Sequence, residues 1–373
     1  MNHTSSQQLV IDLFASAGVE INGSRLWDIQ VKKDLFFTRL VAGGSLALGE
    51  SYMDGWWECP RLDQFFDKIL RARLDEKAKK SLRALWCRFK ARLTVSPGKI
   101  RAFEIGKRHY DIGNELFSLM LDKSMNYSCG YWKNADTLEA AQEAKMELIC
   151  QKLQLAPGMR VLDIGCGWGG LAAYMAQNHQ VNVVGITVSR EQVTLAKERC
   201  SGLPVEIRLV DYRDLNEPFD RIVSVGMFEH VGAACYKIFM GVVNRCLTDR
   251  GLFLLHTIAG NRSVRSSDPW ISTYIFPNSM IPSGHQIAAA AEKFFVLEDW
   301  HSFGPDYDPT LMAWYHNFVK HWEKIRHVYD DRFFRMWTYY LLACAGTFRA
   351  RSNQLWQIVF SKNGVLPAYD SVR

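Results

Sequence analysis

The chain lacks the features of a secreted or membrane-spanning protein. Its first residues contain no apolar core of the kind found in signal peptides, and its nine cysteines include no C-x-x-C pair. The longest stretch without Asp, Glu, Lys or Arg, residues 269–291, is interrupted by Pro269, Pro277 and Pro282, which exclude a spanning helix. We therefore expect a cytoplasmic protein with free thiols and expect any membrane contact to be peripheral.

Metal-site spacing and repeats are absent as well. No pair of histidines has the spacing of zinc ligands, so we expect neither a structural nor a catalytic metal. The sequence has no internal repeat and no low-complexity tract. With 373 residues, of which 48% are hydrophobic, the chain is long enough for one large and one small globular unit.

Positive charge is concentrated in one segment. The net charge is +6, and residues 71–108 hold thirteen Lys or Arg against three acids. One helical face within this segment is apolar and consists of Leu82, Leu85, Trp86, Phe89 and Leu93. Such a basic amphipathic helix either binds an anionic bilayer or joins two domains and packs on protein. Basic charge alone does not distinguish lipid head groups from nucleic acid.

Composition divides the chain into three parts. Residues 1–70 mix short apolar blocks with turn signals and predict a small, mainly helical domain. Residues 71–108 form the basic helix and a linker. Residues 109–373 alternate apolar runs with helical patterns, which predicts an α/β catalytic domain with a mostly parallel, seven-stranded sheet. Its strands are expected at 160–164, 182–187, 205–210, 221–225, 251–257, 294–300 and 355–360.

The strongest motif is the decapeptide 161–170, in which an apolar strand runs into Gly165-Cys166-Gly167-Trp168-Gly169. Glycines at this spacing let the backbone approach a ligand closely, and a helix beginning near Leu171 directs its N-terminal amides at a carboxylate or phosphate. The segment has neither the G-x-G-x-x-G spacing of dinucleotide sites nor the Gly-Lys-Ser/Thr ending of P-loops. Asp163 before G-x-G-x-G instead resembles class I S-adenosylmethionine (SAM) methyltransferases.

Ligands of open α/β sheets bind beyond the carboxyl ends of the strands, and these ends are polar here. The second strand is followed by residues 187–192, and no acid stands at the strand end itself, where many SAM methyltransferases hold the ribose with one. The third is followed by residues 211–214, the fourth by Glu229, and the fifth ends near His256. The missing acid argues against a generic methyltransferase.

Five ordered segments together resemble the cyclopropane-fatty-acyl-phospholipid synthase family. They are residues 107–114, 127–131, 161–170, 185–192 and 228–232, and the resemblance extends over nearly the whole chain. It implies a class I SAM methyltransferase fold, which is Rossmann-like. It also implies that the SAM methyl group is transferred to the cis double bond of a phospholipid acyl chain and that proton loss closes a cyclopropane ring.

The resemblance further implies the residues of the site. A bicarbonate ion that acts as general base is implied beside Glu229, His256 and Tyr307, with backbone groups from Cys129 and Ile258. Cys344 matches a cysteine assigned to the family's active site. The implied SAM contacts are Tyr127, Ser128, Leu162, Asp163, Ile164, Gly165, Cys166, Gly167, Trp168, Gly169, Gly170, Thr187, Val188, Ser189, Arg190, Glu191, Gln192, Tyr212 and Arg213.

The implied reaction requires that the site position its substrate. An alkene has no proton whose removal could activate it, so it must be held in line with the sulfonium methyl. The resulting carbocation needs a dry pocket with electron-rich faces. Aromatic residues available for such a pocket are Tyr274, Phe276, Tyr307, Trp314 and Tyr315.

The expected partners are a phospholipid with an unsaturated acyl chain and the anionic inner face of the cytoplasmic membrane. No nucleic acid is expected, and the sequence leaves monomer and homodimer open. Three other functions stay open: a SAM methyltransferase of another lipid or small amine, an RNA methyltransferase, and a non-catalytic membrane-surface protein. The joint presence of Glu229, His256 and Tyr307 argues against the first, the lack of an RNA-binding module against the second, and the unbroken glycine loop against the third.

Overall fold

The computed structural model describes residues 5–74, 76–77 and 113–373, which divide into two compact units. Unit 1 comprises the described part of Met1–Met120 together with Ser267–Pro277 and Leu311–Ser352. Unit 2 comprises Leu121–Ser266, Asn278–Thr310 and Asn353–Arg373.

Unit 1 is mainly helical, as predicted for the N-terminal region. Its short strands β1 (Gln30–Val31) and β2 (Trp57–Glu58) pair antiparallel. Its helices are α1 (Ser5–Ala15), α2 (Leu35–Met53), α3 (Leu62–Arg71), α4 (Asn114–Met120), α9 (Pro269–Tyr274) and α12 (Asp331–Arg349), joined by most of α11 (Tyr307–Ile325).

The division of the chain differs from the predicted one. The predicted catalytic domain 109–373 includes residues 113–120, 267–277 and 311–352, but these residues belong to unit 1. The reason is packing between segments that are far apart in sequence. A Cβ on Gly346 of α12 would lie 2.5 Å from the Cβ of Phe66 on α3, and Arg349 Nη1 lies 2.6 Å from Asp63 Oδ2.

The basic segment cannot be compared in the same way. Residues 78–112, which include its apolar helical face, lie outside the described residues. Within the described part of the chain, no helix combines the length and the apolar character needed to cross a bilayer. The eight cysteines in that part are all free thiols.

Unit 2 contains the predicted seven-stranded sheet, which confirms the fold class. The strand order is β5-β4-β3-β6-β7-β9-β8. Only β9 runs opposite to the other strands of this sheet, so its pairings with β7 and β8 are both antiparallel. The strands are β3 (Arg160–Ile164), β4 (Asn182–Thr187), β5 (Val205–Leu209), β6 (Phe219–Val225), β7 (Leu247–Gly260), β8 (Val296–Ser302) and β9 (Asn353–Ser361). All seven overlap the predicted runs, and β7 is longer at both ends.

Helices cover both faces of this sheet. Consecutive strand residues, such as Val161 and Leu162, therefore belong to different apolar layers. The layer of Val161 packs against α5 (Leu138–Lys152) and α6 (Gly170–His179). The layer of Leu162 packs against α8 (Tyr236–Cys246) and α10 (Gly284–Ala291), while α7 (Arg190–Arg199) follows β4.

Candidate active site

A cavity of about 600 Å³ lies at the carboxyl ends of β3, β4, β5 and β6. Such a position is the expected one for a ligand of an open α/β sheet. The predicted SAM contacts that line it are Tyr127, Ser128, Asp163, Ile164, Gly165, Cys166, Gly167, Trp168, Gly170, Thr187, Val188, Gln192, Tyr212 and Arg213.

Five of the predicted contacts do not line the cavity, and each has another local role. Leu162 is buried inside the sheet core, and Gly169 is the left-handed N-cap of α6. Ser189 is the N-cap of α7, where its Oγ accepts from the Gln192 N–H at 3.3 Å. Arg190 and Glu191 are exposed in the first turn of the same helix.

The middle glycine of the loop leaves room for a ligand. Gly167 has a φ of +55°, and a Cβ built on it would meet no heavy atom within 4 Å. Gly165, with a φ of +86°, is instead crowded, because its Cβ would lie 2.8 Å from that of Met227. A side chain at position 167 would thus occupy cavity space rather than collide with protein.

A hydroxyl and an amide lie after β4, where the acid is missing. Thr187 Oγ1 donates to Gln192 Oε1 at 2.7 Å, and both side chains line the cavity. An acid reaches the cavity from the next strand instead. Asp211 accepts from Arg213 Nε at 2.9 Å, and this bond lowers the pKa of its carboxyl.

Sequence reasoning missed Lys145, a buried lysine at the cavity wall. Its Nζ donates to Asn126 Oδ1 at 3.0 Å and to Ser128 Oγ at 2.9 Å. Burial lowers the pKa of Lys145 to about 8 and raises that of the neighbouring Asp163 to about 7. The available signal was helical spacing, since Lys145 lies on the apolar face of α5 four residues after Ala141.

Two further predicted site residues, Glu229 and His256, also belong to unit 2. Glu229 belongs to a 3₁₀ turn (Phe228–His230) directly after β6, and His256 lies on β7. The Ile258 backbone N–H donates to Glu229 Oε1 at 2.6 Å. The predicted backbone contact of Ile258 is therefore already engaged by Glu229.

Burial sets the charge states of this pair. It raises the pKa of Glu229 to about 7 and lowers the pKa of His256 well below its usual value, an effect that the charges of Lys145 and Lys152 strengthen. His256 is therefore neutral. Glu229 Oε2 and His256 Nε2 are both buried without a hydrogen-bond partner. Because buried polar atoms are normally satisfied, the two atoms indicate a polar ligand.

Cys129 and Tyr307 are buried in the same unit. The Cys129 thiol donates to the Gly130 carbonyl at 3.1 Å, and the Gly130 N–H donates to Thr310 Oγ1 at 3.1 Å. This bond joins the Cys129 loop to the first turn of α11, which Tyr307 begins.

Cys344 belongs to the other unit, on α12, where burial raises the pKa of its thiol to about 12. A thiol with this pKa is protonated at neutral pH. Four of the five aromatic residues considered for the lipid pocket also belong to unit 1, namely Tyr274, Phe276, Trp314 and Tyr315.

Comparisons with known proteins agree with this geometry. Residues 98–358 match the model of the family described as mycolic acid cyclopropane synthetase. The chain is 59% identical over 351 residues to cyclopropane-fatty-acyl-phospholipid synthase of Escherichia coli K12, covering 94% of this chain and 92% of that one.

Solved structures give the same result. The cyclopropane synthase MmaA2 from Mycobacterium tuberculosis has a TM-score of 0.64 and 32% identity, over 72% of this chain and 99% of that chain. The mycolic acid cyclopropane synthase CmaA1, complexed with SAH and CTAB, has a TM-score of 0.64 and 31% identity, over 72% of this chain and all of that chain (100%).

Proposed function

Because the chain belongs to the mycolic acid cyclopropane synthetase family, we propose that it converts unsaturated acyl chains of membrane phospholipids into cyclopropane chains, with SAM as donor. The methyl carbon bonds to one alkene carbon as the sulfonium bond breaks. Loss of a proton from that methyl group then closes the ring. The observation that carries the proposal is the presence of a glycine-lined cavity and two unpartnered buried polar atoms in one unit.

The cavity at the ends of β3 to β6 is the proposed SAM site. The N-terminus of α6 and the backbone around Gly167 suit the carboxylate end of SAM, since helix amides favour negative charge. Asp211, Thr187 and Gln192 offer hydrogen-bonding groups to the ribose. Tyr212 and the apolar Val188 suit the faces of the adenine ring.

Bicarbonate suits the hydrogen-bonding groups of His256, Tyr307 and Glu229. The neutral His256 ring can donate from Nε2, the Tyr307 hydroxyl can donate, and an ionised Glu229 can accept from the single hydroxyl of the ion. The family resemblance adds a backbone contact from Cys129, and Ile258 takes part through Glu229, whose Oε1 its N–H holds. When bound, bicarbonate supplies a small, exchangeable base for the released proton.

The substrate explains where the enzyme must work. The reacting bond lies among acyl chains, so we place the protein at the inner face of the cytoplasmic membrane, with residues 1–70 and the basic segment 71–108 in contact with anionic lipid. Unit 2 carries the proposed methyl-transfer groups, and a homodimer is compatible with this arrangement.

The test is a product analysis. The full chain is incubated with vesicles of an unsaturated phospholipid and methyl-labelled SAM, and the fatty acids are analysed by mass and by proton NMR. We expect labelled chains that gain one methylene unit and show cyclopropane ring protons. Saturated vesicles serve as control. Label found only in head groups or in added small amines would contradict the proposal.

A further inference from the structure

Gln357 is a buried amide that lies directly opposite His256 in the sheet. The two residues are register partners of the antiparallel pair β7–β9, so their side chains project on the same face. Gln357 is fully buried, at 0% exposure, and its Nε2 lies 3.3 Å from His256 Nδ1. Its Oε1 has no hydrogen-bond partner.

This contact bears on which nitrogen of His256 carries the proton. A neutral imidazole has one donor and one acceptor nitrogen, and an amide NH₂ group can only donate. For Gln357 Nε2 to donate a hydrogen bond to Nδ1, the ring must accept there and carry its proton on Nε2. The opposite tautomer would present an Nε2 lone pair in a unit where Glu229 Oε2 is already an unpartnered acceptor.

We propose that Gln357 is a positioning residue, which fixes the ring orientation and the tautomer of His256 so that Nε2–H is the donor offered to the ligand. This inference deepens the proposed function and rests on it for its catalytic consequence. The tautomer itself does not depend on bicarbonate or lipid.

A space-filling role would not require an amide here. The neighbours of Gln357 on β9 include the buried apolar residues Leu355, Ile358 and Val359. An unsatisfied buried Oε1 is destabilising compared with an apolar side chain of similar shape. On the other side of Gln357, His301 of β8 has its Nδ1 engaged by Lys152 Nζ at 3.0 Å. The polar contact shown for Gln357 is therefore the one to His256.

The experiment reads the tautomer directly. The full chain is labelled with ¹⁵N,¹³C-histidine, and the His256 signals are assigned by their loss in His256→Asn. We expect the wild-type ring to carry its proton on Nε2. In Gln357→Glu, the proton should move to Nδ1 as the introduced carboxyl ionises, because a carboxylate accepts rather than donates. A carbon-detected titration of that carboxyl gives the pH at which it ionises.

A buried amide on the same strand provides the matched control. Gln354 donates to Asn261 Oδ1 at 3.1 Å, so Gln354→Leu should leave the His256 tautomer unchanged. Gln357→Leu should lower kcat about 10-fold or more, with KM for SAM unchanged. A wild-type proton on Nδ1 would overturn the proposal. A tautomer that stays unchanged after the carboxyl at position 357 has ionised would also overturn it. Failure of the anion proposal alone would leave the tautomer result intact.

Discussion

Ile258 donates its backbone N–H to Oε1 of Glu229 over 2.6 Å. The bond ties a carboxyl that follows β6 to the neighbouring strand β7. One oxygen of Glu229 is thereby fixed, and the other, Oε2, remains buried and unpartnered. The carboxyl can therefore act on a ligand without losing its orientation.

Glu229→Gln should lower kcat by about 10²-fold or more, which is the usual contribution of a group that assists proton transfer. SAM affinity should stay within about twofold, because Glu229 does not line the SAM cavity. Calorimetry gives the affinity and steady-state kinetics give kcat. Removal of dissolved carbon dioxide should slow the wild type and be reversed by added bicarbonate. A wild-type rate that is indifferent to bicarbonate would rule out the role of the ion.

The pKa of Glu229 predicts a pH dependence of stability. Burial raises the pKa of the folded state to about 7, so the uncharged carboxyl favours folding below the unfolded pKa. That contribution is lost as the pH rises through about 7. When the pH is raised from 5 to about 8, the wild type should therefore lose roughly 1–3 kcal/mol of folding stability that Glu229→Gln does not lose. Urea unfolding at both pH values measures the difference, and a constant difference would contradict the assigned charge state.

Gly167→Val should abolish SAM binding while the protein remains folded. The substitution fills open cavity space, and it also strains a backbone with a φ of +55°. Gly202→Val is the matched control, because Gly202 has a φ of +79° and equally open surroundings but does not line the cavity. Calorimetry should find SAM affinity lost only in Gly167→Val. Equal losses in the two variants would assign the effect to backbone strain.

Lys145→Met should weaken SAM binding about 10-fold or more. The substitution releases Ser128 Oγ and Asn126 Oδ1 and leaves Asp163 without its nearby positive charge. The exposed Lys197, changed to Met, controls for the loss of a charge. Binding titrations compare the variants, and thermal unfolding shows whether the loss is confined to the site. Unchanged affinity in Lys145→Met would mean that the loop holding Ser128 does not contact SAM.

The basic segment predicts salt-dependent membrane binding. Changing Arg83, Arg88, Lys90 and Arg92 to Glu should weaken cosedimentation with anionic vesicles, and high salt should weaken the wild-type interaction in the same way. Activity on detergent-dispersed lipid should fall much less. Unchanged cosedimentation of the variant at low salt would indicate a domain connector.

The sheet could be predicted from the sequence because its information is local. Runs such as 160–164 and 182–187 are short, apolar and bounded by turns, and the structure begins and ends these two strands at the same residues. The glycine loop was equally readable, since its backbone angles require glycine. The division into units was not, because α12 joins α3 through contacts such as Arg349 with Asp63, which no local pattern encodes.

The residues that hold the site residues in place could be predicted only in part from the sequence. Lys145 and Gln357 are buried polar residues among mostly apolar neighbours, on a helix face and on a strand. A polar residue at such a position indicates a functional or buried polar contact, but the sequence does not show which residue is its hydrogen-bond partner. The partner depends on which strands become neighbours, and β9 enters the sheet between β7 and β8 although it follows both in sequence.

Side chains of β7 alternate between the two faces of the sheet, which makes the site sensitive to an insertion within this strand. His256 shares a face with Leu252 and Leu254, while Phe253 and Leu255 face the opposite layer. One residue inserted between Leu254 and His256 would turn the imidazole into the wrong layer and break its register with Gln357. The open turn around Gly202 carries no such constraint. It is a suitable attachment point for a fluorophore or an affinity tag in an engineered form of this enzyme.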